Sequence, residues 1–194
     1  QATHKKRAQL YFFNFLLNEV DINEGEELTA EHFFLNRSIS DLKILLKKCD
    51  SLILDKSSVV FDPACGTGRH LQYMVDKFQC IGIGMDVYRP AVNVANVANI
   101  NNAVDFFCES SLNLDGLDKI LPKNVELVFI NSWLGYVIND ENFNKFIDYI
   151  TKKSLYIMVI SSQDDDLHSI FKKSINVVEL NSGNTHYVLY QNKF

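Results

Sequence analysis

The chemistry most legible in this chain sits in two acidic residues and the glycines between them. Asp62-Pro-Ala-Cys-Gly-Thr-Gly68 follows the apolar run Val59-Val-Phe61 and precedes a helical pattern. Gly66 and Gly68 let the backbone turn sharply and approach a ligand, because neither carries a Cβ. A second acid, Asp86, ends the next apolar run, 18 residues after Gly68. An acid at that place can accept both hydroxyls of an adenosine ribose. The plainer role for Asp86 is a turn or capping carboxylate ahead of Pro90, and the pairing with the glycine loop favours the ribose. A glycine-rich turn between strand and helix also serves dinucleotides. That fingerprint requires Gly-x-Gly-x-x-Gly, and its third position here is Leu71. Asp62 would also sit awkwardly beside a pyrophosphate. It suits a ligand with an ammonium group and no phosphate, so a nicotinamide oxidoreductase is disfavoured.

These loops need elements to hold them. Apolar runs and turn signals predict strands over 59–61, 81–85, 104–108, 125–130, 155–160, 175–180 and 185–191. Helical spacing predicts helices over 69–79, 90–100, 140–153 and 164–173, with Pro90 suited to a first turn. Asn181-Ser-Gly-Asn184 reads as the joint of a terminal hairpin. Strands alternating with helices imply a three-layer α/β/α sandwich around a mostly parallel, seven-stranded sheet that ends in an antiparallel hairpin. In such sheets ligands bind beyond the carboxyl ends of the strands. Residues 1–54 are expected to form a helical cover, and residues 55–194 the sandwich. The cover has helices over 6–20 and 40–54, a short piece near 30–35, and the acidic connection Asp21-Ile-Asn-Glu-Gly-Glu-Glu27. Its aromatics include Tyr11, Phe12, Phe15, Phe33 and Phe34.

Phe61-Asp-Pro-Ala-Cys-Gly-Thr-Gly-Arg-His70 resembles motif I of the class I S-adenosylmethionine-dependent methyltransferases of small-molecule type, and Asp86 matches their ribose-binding acid. The resemblance runs from about Val59 to the C-terminus. Val128-Phe-Ile-Asn-Ser-Trp-Leu-Gly-Tyr136 is loosely similar to the fourth-strand segment of that family. The resemblance implies S-adenosylmethionine as cofactor. It implies that Asp62, Ala64, Cys65, Gly66 and Gly68 line the methionine part and ribose, with Asp86 on the ribose hydroxyls and Val87 beside adenine. Many members place an acid after the third strand on the adenine amino group. Here that position is Ser110, next to Glu109, which is a departure from the pattern. Asn131 would present oxygen near the cofactor's ammonium. Trp133, Tyr136 and Tyr11 are candidates for the acceptor pocket, and helix packing is the competing role for the first two.

An oxygen acceptor usually needs a base, whereas a free amine needs less help. His70, His168 and His186 read as structural residues, the last two on a surface helix and an edge strand. His32, in Glu31-His-Phe-Phe34, is kept only as a weak candidate. The expected function is methyl transfer to a small-molecule oxygen or nitrogen by in-line displacement. The loop is also similar to the Asp-Pro-Ala-Cys-Gly-Ser-Gly of adenine-N6 DNA methyltransferases. Their Asn/Asp-Pro-Pro-Tyr motif, which grips a flipped base, is replaced here by Asn131-Ser-Trp-Leu134. Nucleic-acid or protein methylation, and a module that binds the cofactor without turnover, stay open as alternatives.

Composition agrees. The chain has 194 residues, 47% of them apolar, enough for one domain with a large core. Asp plus Glu number 24 against 19 Lys plus Arg. The short basic clusters (Lys5-Lys6-Arg7, Lys47-Lys48, Lys152-Lys153, Lys172-Lys173) are dispersed, so no nucleic-acid stripe is expected. No apolar run reaches the roughly 18 residues of a membrane span. The first residue is Gln1, which is compatible with a trimmed start or a fragment, and nothing there reads as a signal peptide. Cys49, Cys65, Cys80 and Cys108 stand singly, with no histidine at metal-ligand spacing from them, so no structural zinc is expected. Unpaired cysteines fit a reducing cytoplasm.

Overall fold

The computed structural model describes residues 37–99, 103–131, 133–162, 166–182 and 185–193. The expected helices over 6–20 and near 30–35 lie outside this set, as do Tyr11 and His32. The order is α1 (Arg37–Leu46), β1 (Val59–Asp62), α2 (Arg69–Phe78), β2 (Ile81–Met85), α3 (Arg89–Ala98), β3 (Val104–Phe107) and α4 (Leu114–Ile120). It continues with β4 (Val125–Asn131), α5 (Leu134–Val137), α6 (Phe143–Lys153), β5 (Ser154–Ser162), α7 (Leu167–Ile170), β6 (Ile175–Ser182) and β7 (Thr185–Gln191).

The strands form one seven-stranded sheet in the order β3-β2-β1-β4-β5-β7-β6. β1, β2, β3, β4 and β5 run parallel, and β7 is antiparallel to both β5 and β6. β1 is buried along its whole length, as expected of a central parallel strand covered on both faces. From β1 the chain winds outward to β3, then returns to β4 on the other side. The winding therefore reverses between β1 and β4, where open α/β sheets bind ligands.

Alternation along each strand feeds two cores. On one face Phe61, Ile83, Val128, Ile130, Val159 and Val188 meet Leu117 of α4 and Phe146 and Ile150 of α6. On the other, Val60, Leu127, Phe129, Met158 and Leu189 meet Leu71 and Met74 of α2 and Leu42 and Leu45 of α1. The described part of the N-terminal segment is thus built into the second core. Among the described residues no helix is long and apolar enough to cross a membrane.

Several boundaries differ from expectation. The helix expected over 40–54 stops at Leu46, although Cys49 and Leu52 remain buried. Ile53 is 79% exposed, so apolar spacing outlasts the helix. The chain must turn there to enter β1, and the Asp55 carboxylate holds that turn by accepting the Ser57 and Ser58 amides. α4 was not foreseen. It has seven residues with Gly116 inside, too short for a periodic signal, and is set by the Asn113 cap on the Gly116 amide at 3.3 Å. α7 is shorter than the expected 164–173, because Asp166 caps it on the Ser169 amide and Phe171 turns into the core. The strand carrying His186 is interior, between β5 and β6, so β6 is the edge.

Phe146 is fully buried and meets the edge of the Trp133 ring, with centroids 5.2 Å apart. Phe146→Ala should cost about 3–5 kcal/mol through lost burial and the cavity left behind. Urea unfolding followed by fluorescence of Trp133, the single tryptophan, measures it. A loss under about 1 kcal/mol would contradict this packing.

Candidate functional site

The loop after β1 is held from three sides. The Cys65 amide donates to the Met85 carbonyl at 2.8 Å, pinning the loop to the end of β2. The Gly68 amide donates to the Cys65 carbonyl at 2.8 Å and closes the turn. The Ala64 amide donates to Asp62 Oδ1 at 3.1 Å. Gly66 and Gly68 both have positive φ, +52° and +71°, which explains glycine at each. Their surroundings differ. A Cβ on Gly66 would meet nothing within 4 Å, so that backbone faces open space. A Cβ on Gly68 would fall 2.3 Å from Phe106 Cζ, so Gly68 is buried against β3 and lets α2 approach the sheet.

Asp86, just beyond β2, ties two loops together. Its Oδ2 accepts the Gly66 amide at 2.9 Å, and its Oδ1 accepts the Tyr88 amide at 2.8 Å. Its own amide donates to the Phe107 carbonyl at 3.1 Å, which ties it to β3 as well. A carboxylate has about four lone-pair sites, so two more donors can be received.

Asp62 is buried and shares the face of Val60. Burial, offset by the Ala64 amide and aided by the Asp86 charge, pushes its carboxyl up to about 7. The Cys65 thiol beside it is raised by burial and then by the two acids, so it stays a neutral, inert group. The result is a half-buried carboxylate beside a buried acid.

The structure therefore brings Asp62, Ala64, Cys65, Gly66 and Asp86 into one hydrogen-bonded unit. Gly68 serves as packing below it. Val87 is 72% exposed, and its carbonyl lies 3.8 Å from Cys108 Sγ. Glu109 is exposed and accepts the Ser110 amide at 2.9 Å, while Ser110 Oγ accepts the Leu112 amide at 3.3 Å. A cavity lies beside them, lined by Phe107, Cys108, Glu109, Asn113 and Lys119. Asn131 ends β4, half-buried and paired with Ile160. Trp133 lies further on and packs against the first core. Tyr136 belongs to α5, and its side chain is outside the described set. His70 is half-buried in α2, its ring 5.6 Å from that of Phe129.

Sequence reasoning missed Phe106, whose ring a Cβ on Gly68 or Gly84 would strike, and Cys108 beside Val87. The strand pattern placed both residues on β3. The glycines across from Phe106 are the signal that could have found it.

The raised Asp62 carboxyl sets a pH dependence. In the unfolded chain it ionises near 3.8, in the folded chain near 7. Between those values folding takes up a proton, so stability falls as pH rises through this window. Asp62→Asn should remove that slope and leave the unliganded protein more stable than the parent at pH 8, by about 1 kcal/mol or more. Urea midpoints at pH 5 and 8 measure it. An unchanged slope in the variant would contradict the burial of this acid.

No known family profile matches the sequence, and no curated protein does. Solved structures match with probability 1.00. The magnesium protoporphyrin IX methyltransferase ChlM of Synechocystis PCC 6803, with bound SAM, aligns over 99% of this chain and 99% of its own (TM-score 0.64, 11% identity). The N-methyltransferase NodS of Bradyrhizobium japonicum WM9 aligns over 81% of this chain and 94% of its own (TM-score 0.63, 13% identity). An rRNA methylase of Streptococcus thermophilus aligns over 82% of this chain and 98% of its own (TM-score 0.57, 13% identity). Sheet order, terminal hairpin and these alignments agree, and the chain has the Rossmann-like fold of the class I S-adenosylmethionine-dependent methyltransferases.

Proposed function

We propose that the chain is an S-adenosylmethionine-dependent methyltransferase acting on oxygen or nitrogen of a small-molecule acceptor. The observation that carries this reading is the pair of acids at the carboxyl ends of β1 and β2, both bonded to one loop: Asp62 accepts the Ala64 amide and Asp86 the Gly66 amide. One is buried with its carboxyl pushed up to about 7, and the other has acceptor sites to spare. A ligand with an ammonium, a sulfonium and a ribose suits such a pair. A pyrophosphate does not. The open space over Gly66 lets the ligand lie against the backbone.

In this reading Asp62 gives up its proton and faces the cationic methionine end, with the Ala64–Gly66 backbone beside it. Asp86 accepts the ribose hydroxyls with its remaining lone pairs. Val87 flanks the adenine, and Glu109 and Ser110 offer acceptors for its amino group. Asn131 supplies oxygen near the ammonium. Trp133, Tyr136 and Tyr11 border the acceptor, and His32 is the candidate base for an oxygen acceptor. When bound, the cofactor would supply an activated methyl group for in-line transfer to the acceptor's lone pair, with S-adenosylhomocysteine as the leaving group. The chain's share is alignment of donor and acceptor and exclusion of water.

The small-molecule reading rests on charge. The chain is acidic, with net charge −5, and two acids stand at the site, which disfavours a polyphosphate. The free thiols fit a reducing cytoplasm.

Calorimetric titration with S-adenosylhomocysteine, with NAD in parallel, tests the reading. Binding in the micromolar range is expected, weakened about tenfold or more in Asp86→Ala, through loss of charge-assisted hydrogen bonds. Affinity for S-adenosylmethionine should rise from pH 6 to 8, with proton release that varies the measured heat between buffers. Asp62→Asn should flatten that rise. Tighter binding of NAD, or no effect of Asp86→Ala, would contradict the assignment. A radiolabelled-methyl screen over small amines, hydroxy compounds and a structured RNA then decides the acceptor class.

A further inference from the structure

At the far side of the sheet, two imidazoles and a carboxylate converge that the methyl-transfer site does not use. Glu179 of β6 pairs with Val188 of β7, two residues from His186, so Glu179 and His186 share a face on a diagonal. His168 comes from α7, above that face. Glu179 Oε1 lies 2.8 Å from His186 Nε2 and 3.4 Å from His168 Nε2. One donor atom from each of the three residues lies within 4.8 Å of the other two.

Three features make this more than a surface ion pair. First, the short edges of the triangle bracket the roughly 3.3 Å expected between ligand atoms about 2.0–2.1 Å from one tetrahedral ion. Second, the cluster is held in place. His186 has a side chain only 10% exposed, and Asn176 Nδ2 donates to Glu179 Oε2 at 2.6 Å, leaving Oε1 toward the imidazoles. Outer contacts of this kind orient metal ligands. Third, the hydroxyl of Tyr190 is buried and has no hydrogen-bond partner among the described residues. Its ring is 6.4 Å from that of His168. A buried hydroxyl wants a partner, and water on a metal ion, a strong donor, would provide one to its oxygen.

We propose that His168, Glu179 and His186 form a His2Glu site for a divalent transition-metal ion, zinc in the first instance, which fastens α7 to the β6–β7 hairpin and leaves one coordination position for water. Two imidazoles and one carboxylate suit zinc and its neighbours over magnesium or calcium. The ligands come from three elements, so no sequence spacing announces them. A four-residue helix has little stability of its own, and a bond from His168 across to the hairpin would anchor it.

The test uses the full chain after treatment with a chelator. Zinc titration by calorimetry should show one site of micromolar affinity or better, weakening as pH falls because imidazoles must be neutral to bind. Cobalt should give the visible absorption of a low-coordinate ion without a thiolate charge-transfer band. His168→Gln, at an exposed side chain, and Glu179→Gln should each weaken zinc about tenfold or more. Zinc should raise the melting midpoint of the parent by roughly 4 °C or more, and of neither variant. Absence of binding at about 100 µM zinc, a thiolate signature, or affinity in both variants equal to that of the parent would overturn the proposal.

Discussion

The Asp86 carboxylate receives the Gly66 amide on one oxygen and the Tyr88 amide on the other, so one side chain holds the loops after β1 and β2. Much of the site follows from this contact. Gly66 can present its amide only because its backbone takes a left-handed conformation, and Gly68 completes the turn in the same region of φ. The Cys65 amide on the Met85 carbonyl fixes the loop's height against β2. Because Gly68 has no side chain, Phe106 can fill the space below, and α2 starts directly against the sheet. Loop, helix start and third strand are thereby positioned together.

The same contact brings a half-buried acid close to a buried one. Asp62 is buried, and Asp86 adds a like charge nearby, so the folded chain keeps a proton on Asp62 to higher pH than the unfolded chain does. That arrangement disfavours folding at neutral pH. Buried acids with displaced pKa values concentrate at functional sites for this reason. A cationic ligand turns the unfavourable charge into an attraction, which is the physical basis of the proposed cofactor site.

The parts legible in sequence were those carried by local pattern. Continuous apolar runs such as Tyr156-Ile-Met-Val-Ile160 marked buried strands, and Phe143, Phe146, Ile147 and Ile150 marked one helix face. The glycine loop and Asp86 stood out because backbone conformation and strand ends restrict residue type. What escaped depends on contacts across the chain. α4 exists through a cap and packing, with Leu117 in the first core. The end of α1 is set by a turn around Asp55, which apolar spacing cannot register. Phe106 matters through glycines of other elements. The interior place of β7 follows from pairing order, which a hairpin signal alone leaves open.

Titration of the isotope-labelled protein with S-adenosylhomocysteine, followed by amide NMR, tests the central claim most directly. The account predicts that the amides of Gly66, Asp86, Val87 and Glu109 shift together, while those of Glu179 and the outer hairpin do not. Shifts confined to other regions, or none at millimolar ligand, would contradict the assignment of the Asp62–Asp86 pair as the cofactor site.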